Sequence, residues 1–236
     1  ARTTFRELVQ RAAEHEPIAY LVGKKEFFSL DFEVDKSVLI PRAETETLIE
    51  VACDQLKADE LESPSLLDIG TGSGCIAITM LKQMSQATMI ATDISADALA
   101  VAARNADKHD VSDRLTLMET DGMQGLPADQ RFDAVLSNPP YISRDEHEQL
   151  DASVRDFEPR CALTDDADGL SFYEKIAGQA ASWLSPQGFV AVEIGFGQTD
   201  PVTSIFLEHG PWAHKGTWKD RVEGHDRVLM FTTASP

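Results

Sequence analysis

Apolar positions along the chain follow two alternating rhythms. Short runs rich in β-branched and aromatic residues, at Ser65–Ile69, Ala87–Thr92, Leu115–Met118, Phe132–Ser137 and Phe189–Ile194, read as buried strands. Between them apolar residues recur every three or four positions. Ile76, Met80 and Met84 share one helical face, and so do Leu99, Ala102, Ala103 and Ala106. Tyr173, Ile176, Ala177, Ala180, Trp183 and Leu184 form another face, halted by Ser185-Pro186-Gln187-Gly188. Pro201 starts a further helix that Gly210 ends, and two final strands are expected near Trp212–Trp218 and Arg227–Thr232. Strands alternating with helices predict a doubly wound α/β sheet.

The amino-terminal part has a different pattern. Phe5, Leu8, Val9 and Ala12 are spaced as one helical face, ended by Pro17. Glu26-Phe27-Phe28 and Phe32-Glu33-Val34 predict a hairpin around Ser29-Leu30-Asp31. Ala43 to Ala52 opens a helix with acids in its first turn, where the helix dipole favours them. The long polar connection from Ile142 to Gly169 is of the length that marks either a functional lid or disorder.

Hydrophobic content of 42% and charged content of 26% suit a globular chain large enough to bury a full core. No apolar run is long enough to span a membrane. The start lacks the apolar core of a secretory signal, and because residue 1 is Ala rather than Met a partial chain is expected. The 21 Lys and Arg against 40 Asp and Glu give a net charge of −19, which repels phosphates and argues against a nucleic-acid grip. Cys53, Cys75 and Cys161 include no close pair, so neither a disulfide framework nor a zinc site is expected. A reduced, cytoplasmic setting without a metal follows, and a monomer is expected.

Candidate chemistry lies where the strands stop. Asp68-Ile69-Gly70-Thr71-Gly72-Ser73-Gly74 joins the first strand of the sheet to a helix, and glycines there allow a tight turn and close approach of a ligand. The register Gly72-x-Gly74-x-x-Ala77 also fits a dinucleotide fingerprint, but Asp68 just before the glycines favours the Asp-x-Gly-x-Gly-x-Gly form. The next strand ends at Asp93, about 20 residues on, where an acid can accept hydrogen bonds from both ribose hydroxyls. Ser95 caps the following helix. The fourth strand is stopped by Asn138-Pro139-Pro140-Tyr141, a plain turn on propensity alone, which places an amide, rigid carbonyls and an aromatic ring at a strand's carboxyl end.

Asn-Pro-Pro-Tyr after an apolar strand resembles motif IV of the S-adenosylmethionine-dependent methyltransferases that modify a planar nitrogen. Ile40-Pro41-Arg42-x-Glu44-Thr45-Glu46, with Tyr20-Leu21-Val22-Gly23 and Glu26-Phe27-Phe28 upstream, resembles the segment ahead of the cofactor domain in the protein-glutamine N5-methyltransferase family. Ala43 departs from it, since the family usually has a second proline there, and the loop should be less rigid. The resemblance implies a Rossmann-like class I methyltransferase with seven strands, the last antiparallel. It divides the chain into residues 1–24, a remnant of a helical substrate-recognition domain, 25–40, a hairpin linker, and 41–236, the catalytic domain.

It also implies S-adenosylmethionine as cofactor, held by Asp68, Gly70, Thr71, Gly72, Ser73, Gly74, Asp93, Asp121, Gly122 and Asn138. Asp121 and Gly122 would flank the adenine, although Gly122 is bulkier in many relatives. Pro41, Arg42, Glu44 and Thr45 would line the entrance for a glutamine, with Asn138, Pro139, Pro140 and Tyr141 around its amide. Glu-Pro at 158–159 and Asp-Gly-Leu at 168–170 match the family and favour an ordered cover over the substrate. The implied substrate is the Gly-Gly-Gln glutamine of a peptide chain release factor. In chemical terms the Asn138 side-chain oxygen and the Pro139 carbonyl are two acceptors for the two N–H groups of an amide, and Tyr141 can stack on its plane. Asn138, Pro139 and Tyr141 are the catalytic candidates. Alternatives are a ribosomal-protein glutamine, a DNA or RNA base amine flipped into the site and, from another class, a nicotinamide-binding oxidoreductase that would give the tetrapeptide no role.

Overall fold

The computed structural model describes residues 2–234. Two helices, α1 (Arg2–Ala13) and α2 (Ile18–Val22), lead into a hairpin of β1 (Lys24–Phe27) and β2 (Leu30–Glu33). Its turn is Phe28-Ser29 rather than Ser29-Leu30-Asp31, with φ of 51° and 62°. Left-handed conformation without Gly or Asn gives no sequence signal. Side chains hold it instead: Glu46 accepts the Phe28 N–H at 2.8 Å and Glu26 the Ser29 N–H at 2.6 Å.

A single turn at Ala43–Thr45 opens α3 (Glu46–Ala58). Then come β3 (Ser65–Ile69), α4 (Cys75–Gln83), β4 (Thr88–Asp93), α5 (Ala96–Lys108), β5 (Leu115–Glu119) and β6 (Phe132–Ser137). Short helices α6 (Arg144–His147) and α7 (Ala152–Arg155) precede α8 (Ser171–Gln179), β7 (Leu184–Glu193), α9 (Thr199–His209), β8 (Trp212–Lys219) and β9 (Asp226–Thr233). The seven-stranded sheet has the order β5-β4-β3-β6-β7-β9-β8, parallel except for β9, which is antiparallel to both neighbours. The expected doubly wound sheet with an antiparallel last strand is therefore present.

Strand alternation gives the sheet two apolar faces. Leu66, Ala134, Leu136, Phe189, Ala191 and Met230 pack under α3 and α4, with Phe27 and Phe32 of the hairpin in the same cluster. Leu67, Val135, Val190, Val192 and Phe231 pack under α8 and α9. The hairpin is thus built into the main core. Burying Phe27 and Phe32 stabilises that arrangement by about 2 kcal/mol each.

Two expected boundaries differ. The α5 core face is Ala98, Val101, Ala102, Asn105 and Ala106, whereas Leu99 and Ala103 are only part-buried. A polar Asn105 at a core position rotates the apparent stripe by one residue. The helix expected to reach Leu184 is α-helical to Gln179 and continues as a 3-10 segment at Ala180–Trp183; β7 begins at Leu184 and carries Pro186 before its irregular pairing with β6 straightens at Phe189. Among the described residues no helix is long and apolar enough to cross a membrane.

Candidate active site

The chain winds outward from β3 through β4 to β5, then crosses back to place β6 on the other side of β3. Open α/β sheets bind ligands at such a switch point, outside the carboxyl ends of the strands. Those ends carry the glycine loop after β3, Asp93 at the end of β4, Asp121-Gly122 after β5 and Asn138 after β6. The Ser137 hydroxyl donates to the Ile69 carbonyl at 2.8 Å and holds the two central strand ends together.

The glycine loop is fixed from both sides. The Gly70 and Thr71 N–H groups donate to the Thr92 carbonyl at 2.9 and 3.0 Å. Asp93 accepts the Gly72 N–H with Oδ2 and the Ser95 N–H with Oδ1, both at 2.9 Å. Asn105 donates to the Ser73 and Glu33 carbonyls at 2.9 and 3.0 Å and accepts the Glu33 N–H at 2.7 Å, tying loop, α5 and hairpin together. Gly72 has φ +54° and open space where a Cβ would stand, on the wall of a cavity of about 490 Å³. A side chain at this position would be strained by the positive φ even though nothing stands near its Cβ.

That cavity brings together Gly70, Gly72, Asp93, Asp121, Gly122, Asn138, Pro139 and Pro140. Lys175 pairs with Asp121, and its methylenes pack where a Cβ on Gly122 would stand, so the space left by the missing side chain is occupied. Asp165, Asp166 and Arg160 also line it, with Arg160 bonded to Asp166. Four carboxylates, Asp93, Asp121, Asp165 and Asp166, stand against two cations, Arg160 and Lys175, an acidic balance that opposes a pyrophosphate and suits a cationic ligand. A second cavity of about 230 Å³ is lined by Arg42, Asn138, Pro139, Tyr141 and Leu163. The two share Leu39, Asn138, Pro139 and Ala162.

Other sequence candidates lie behind these walls. Asp68 is fully buried on the α4 side with no hydrogen bond to either oxygen. Burial pushes its carboxyl up to about 7; the nearby Thr71 hydroxyl and Ala77 amide counter this in part, and Asp93 adds to it. Thr71 and Ser73 are buried. Gly74 caps α4 and touches Ile78 and Ala102 rather than the cavity. Pro41 is buried and Glu44 part-buried, while Thr45 accepts the Asn138 Nδ2–H at 3.2 Å.

The residues between Ile142 and Gly169 are ordered. Ser143 and Glu146 form a capping box, Asp151 caps α7, and Asp165 accepts the Ala167, Gly169 and Ser171 amides. Buried Glu158 accepts the Ile40 N–H at 3.0 Å and pairs with Arg42, clamping this segment over both cavities. Gln198 donates to the Tyr141 carbonyl at 2.9 Å. Glu193, a buried carboxyl at the carboxyl end of the apolar strand β7, accepts the Tyr141 O–H at 3.2 Å and is not among the expected site residues. The signal was a charge in a run otherwise reading as core. Among the described residues no group of His, Cys, Asp and Glu could hold a metal.

The family described as the methyltransferase small domain matches residues 45–156. The chain is 40% identical over 235 residues to the release factor glutamine methyltransferase of Rhodopirellula baltica, covering 99% of this chain and 79% of the relative. The chain belongs to the release factor glutamine methyltransferase family. It is also 40% identical to a bifunctional methyltransferase of Rickettsia felis, covering 97% of this chain and 47% of that protein, so it spans about half the length of the first curated relatives it matches. The crystal structure of the protein-(glutamine-N5) methyltransferase (release factor-specific) from Alicyclobacillus acidocaldarius superposes with a TM-score of 0.51 at 28% identity, covering 86% of this chain and 100% of that one. S-adenosylmethionine is the cofactor of such a methyltransferase domain. The glycine cradle and acidic wall of the larger cavity fit it.

Proposed function

We propose that this protein methylates the side-chain amide nitrogen of a protein glutamine, the Gly-Gly-Gln glutamine of a peptide chain release factor. The observation that carries this reading is the meeting of two cavities at Asn138-Pro139, one shaped for a cofactor and one narrow enough for a side chain. S-adenosylmethionine, when bound, supplies a methyl group on a cationic sulfur. Gly70, Gly72, Asp93 and Asp121 are proposed to hold it, with Asp93 accepting from the ribose.

An amide nitrogen is a weak nucleophile because its lone pair is delocalised into the carbonyl. Asn138 donates Nδ2–H to Thr45, which leaves Oδ1 free as an acceptor. Oδ1 and the Pro139 carbonyl can then take the two N–H groups of a glutamine and aim its nitrogen at the larger cavity. Tyr141, fixed at its hydroxyl and its carbonyl, supports the amide plane. Holding reactants in such geometry is worth up to ~7 to 11 kcal/mol. Arg42, held by Glu158, lines the channel that the substrate enters.

A glutamate in the same place offers lone pairs to lone pairs, and sites of this kind reject the mismatched analogue by ~10⁴-fold or more. Labelled-methyl transfer to a release factor carrying Gly-Gly-Gln, and to the same factor carrying Gly-Gly-Glu, tests the assignment. Transfer to the first and none to the second is the expected result. Equal labelling of both, or labelling of neither with transfer to a nucleic-acid amine instead, overturns it.

A further inference from the structure

Tyr141 ends a turn that cannot hold itself. Pro139 and Pro140 carry no N–H, so the backbone of the tetrapeptide has to be fixed by groups from elsewhere. The Asn138 side chain is met by Thr45 and the Tyr141 O–H by Glu193 Oε1, both at 3.2 Å. Those two anchors act on side chains. The peptide from Tyr141 to Ile142 is gripped on both of its edges: Gln198 Nε2–H donates to the Tyr141 carbonyl at 2.9 Å, and the Ile142 N–H donates to the Leu163 carbonyl at 3.0 Å. Gly169 of the cover crowds the same Tyr141 oxygen and leaves no room beside it for a Cβ.

The direction of the Gln198 amide is set by backbone groups at both of its ends. Its Oε1 accepts the Gly195 N–H at 2.9 Å and faces the Tyr173 hydroxyl at 3.4 Å, while its Nε2 meets a carbonyl. A backbone N–H only donates and a carbonyl only accepts, so turning the amide over would leave both ends mismatched. Gly195 also lies against the Tyr141 ring, since a Cβ on it would stand 3.0 Å from the ring Cδ2. Behind the side chain, the Gln198 carbonyl accepts the Val202 N–H at 3.0 Å, and Val202 and Phe206 seat α9 in the core. Direct hydrogen bonds and buried packing thus join the core to the tetrapeptide.

We infer that Gln198 is a positioning residue that sets the height and tilt of Tyr141 against the substrate amide, and this inference rests on the amide-holding role proposed above. Without the Nε2–H, the Tyr141 carbonyl loses its partner and the peptide plane is free to turn. Pro140 is stiff because its ring fixes φ, so a turn of that plane is passed back to the Pro139 carbonyl as well as on to the Tyr141 ring. Both are groups proposed to aim the glutamine nitrogen. Gln198 itself lines neither cavity, and Tyr141 lines only the smaller one. Its effect therefore reaches the substrate through Tyr141 and leaves the cofactor's seat untouched.

Two variants separate this anchor from mere packing. Gln198→Glu keeps the length and the acceptor for Gly195 but, at mildly alkaline pH, lacks the donor; Gln198→Met keeps the length and lacks both. Tyr141-Ile142 is the sole Tyr-Ile pair in the sequence, so carbonyl-labelled Tyr combined with nitrogen-labelled Ile isolates the gripped peptide in NMR without any substrate. Its carbonyl carbon signal should move upfield in both variants, the direction of a lost hydrogen bond. The kcat for methyl transfer to the Gly-Gly-Gln factor should fall at least about tenfold in each. The KM for the factor should stay within about threefold, and S-adenosylmethionine affinity by calorimetry within about twofold, of the parent. A role confined to holding the Gly195 loop predicts instead a parent-like Gln198→Glu, with a lowered thermal midpoint in Gln198→Met alone. That pattern, an unmoved carbonyl signal, or a parent-like kcat in Gln198→Glu would overturn the inference. A carbonyl signal that moves as expected, in a protein whose parent labels no release-factor glutamine, would overturn the substrate reading instead.

Discussion

Asn138 and Thr45 lie 93 residues apart in the chain and are joined by an Nδ2–H to Oγ1 hydrogen bond of 3.2 Å at the wall between two cavities. Thr45→Val keeps the shape of this buried side chain and removes the acceptor. Methyl transfer should drop roughly 10- to 100-fold, the range expected when a reacting group is misplaced by about 1 Å. Cofactor affinity should hold. Single-turnover kinetics beside calorimetry checks both halves, and equal loss of binding would point to a collapsed loop.

Replacing Asp93 with Ala removes the acceptor of the Gly72 and Ser95 amides as well as the proposed ribose contact. Charged hydrogen bonds contribute ~1.5 to 3 kcal/mol each. S-adenosylmethionine affinity should fall at least tenfold and the thermal midpoint should fall with it. Calorimetry showing unchanged affinity would remove Asp93 from the cofactor site.

Gly169 has φ +81°, and a Cβ there would stand 2.2 Å from the Tyr141 carbonyl oxygen, where backbone meets backbone. Gly169→Ala must therefore move either the cover or the tetrapeptide. A stability loss of ~1 to 3 kcal/mol with reduced turnover is expected. Gly197→Ala, at φ +79° with nothing near its Cβ, carries only the conformational strain and serves as the control. Equal urea midpoints for the two variants would contradict the contact.

Asp68 gives a pH signature. Burial raises its carboxyl from 3.8 to about 7, above any unfolded value. Between those two values the folded state holds a proton that the unfolded chain releases. Its contribution to stability is thus full at low pH and is lost as pH rises toward 7. Asp68→Asn cannot lose that proton, so the stability gap between variant and parent should shift in favour of the variant across this window. Urea midpoints for the pair at pH 4, 5, 6 and 7, compared as differences, would show it; a constant difference would mean that Asp68 is not held protonated.

Much of this site was legible because its residues stand where a regular pattern stops. The first strand ran as Ser65–Ile69 in sequence and structure alike, and the glycines, Asp93 and Asn138 mark strand ends. What escaped were polar groups inside apolar frames. Asn105 reads as a solvent-facing residue, yet it is buried and bonds the hairpin and the glycine loop. Glu193 hides in a run of core residues for the same reason. The Phe28-Ser29 turn was missed because its conformation is imposed by Glu46 and Glu26 rather than by its own residues. Long-range contacts such as Thr45 with Asn138 leave no periodic trace at all.

Leu39, Asn138, Pro139 and Ala162 belong to both cavities at once. Any displacement of these four residues by an occupant of one cavity is felt in the other, and linkage makes that influence symmetric. Whatever factor by which the cofactor raises or lowers the affinity for the proposed glutamine-bearing substrate, that substrate must alter the affinity for the cofactor by the same factor. The demethylated cofactor left after transfer obeys the same rule with its own factor. A wall this thin makes the affinity for the methylated product depend on what still sits next door.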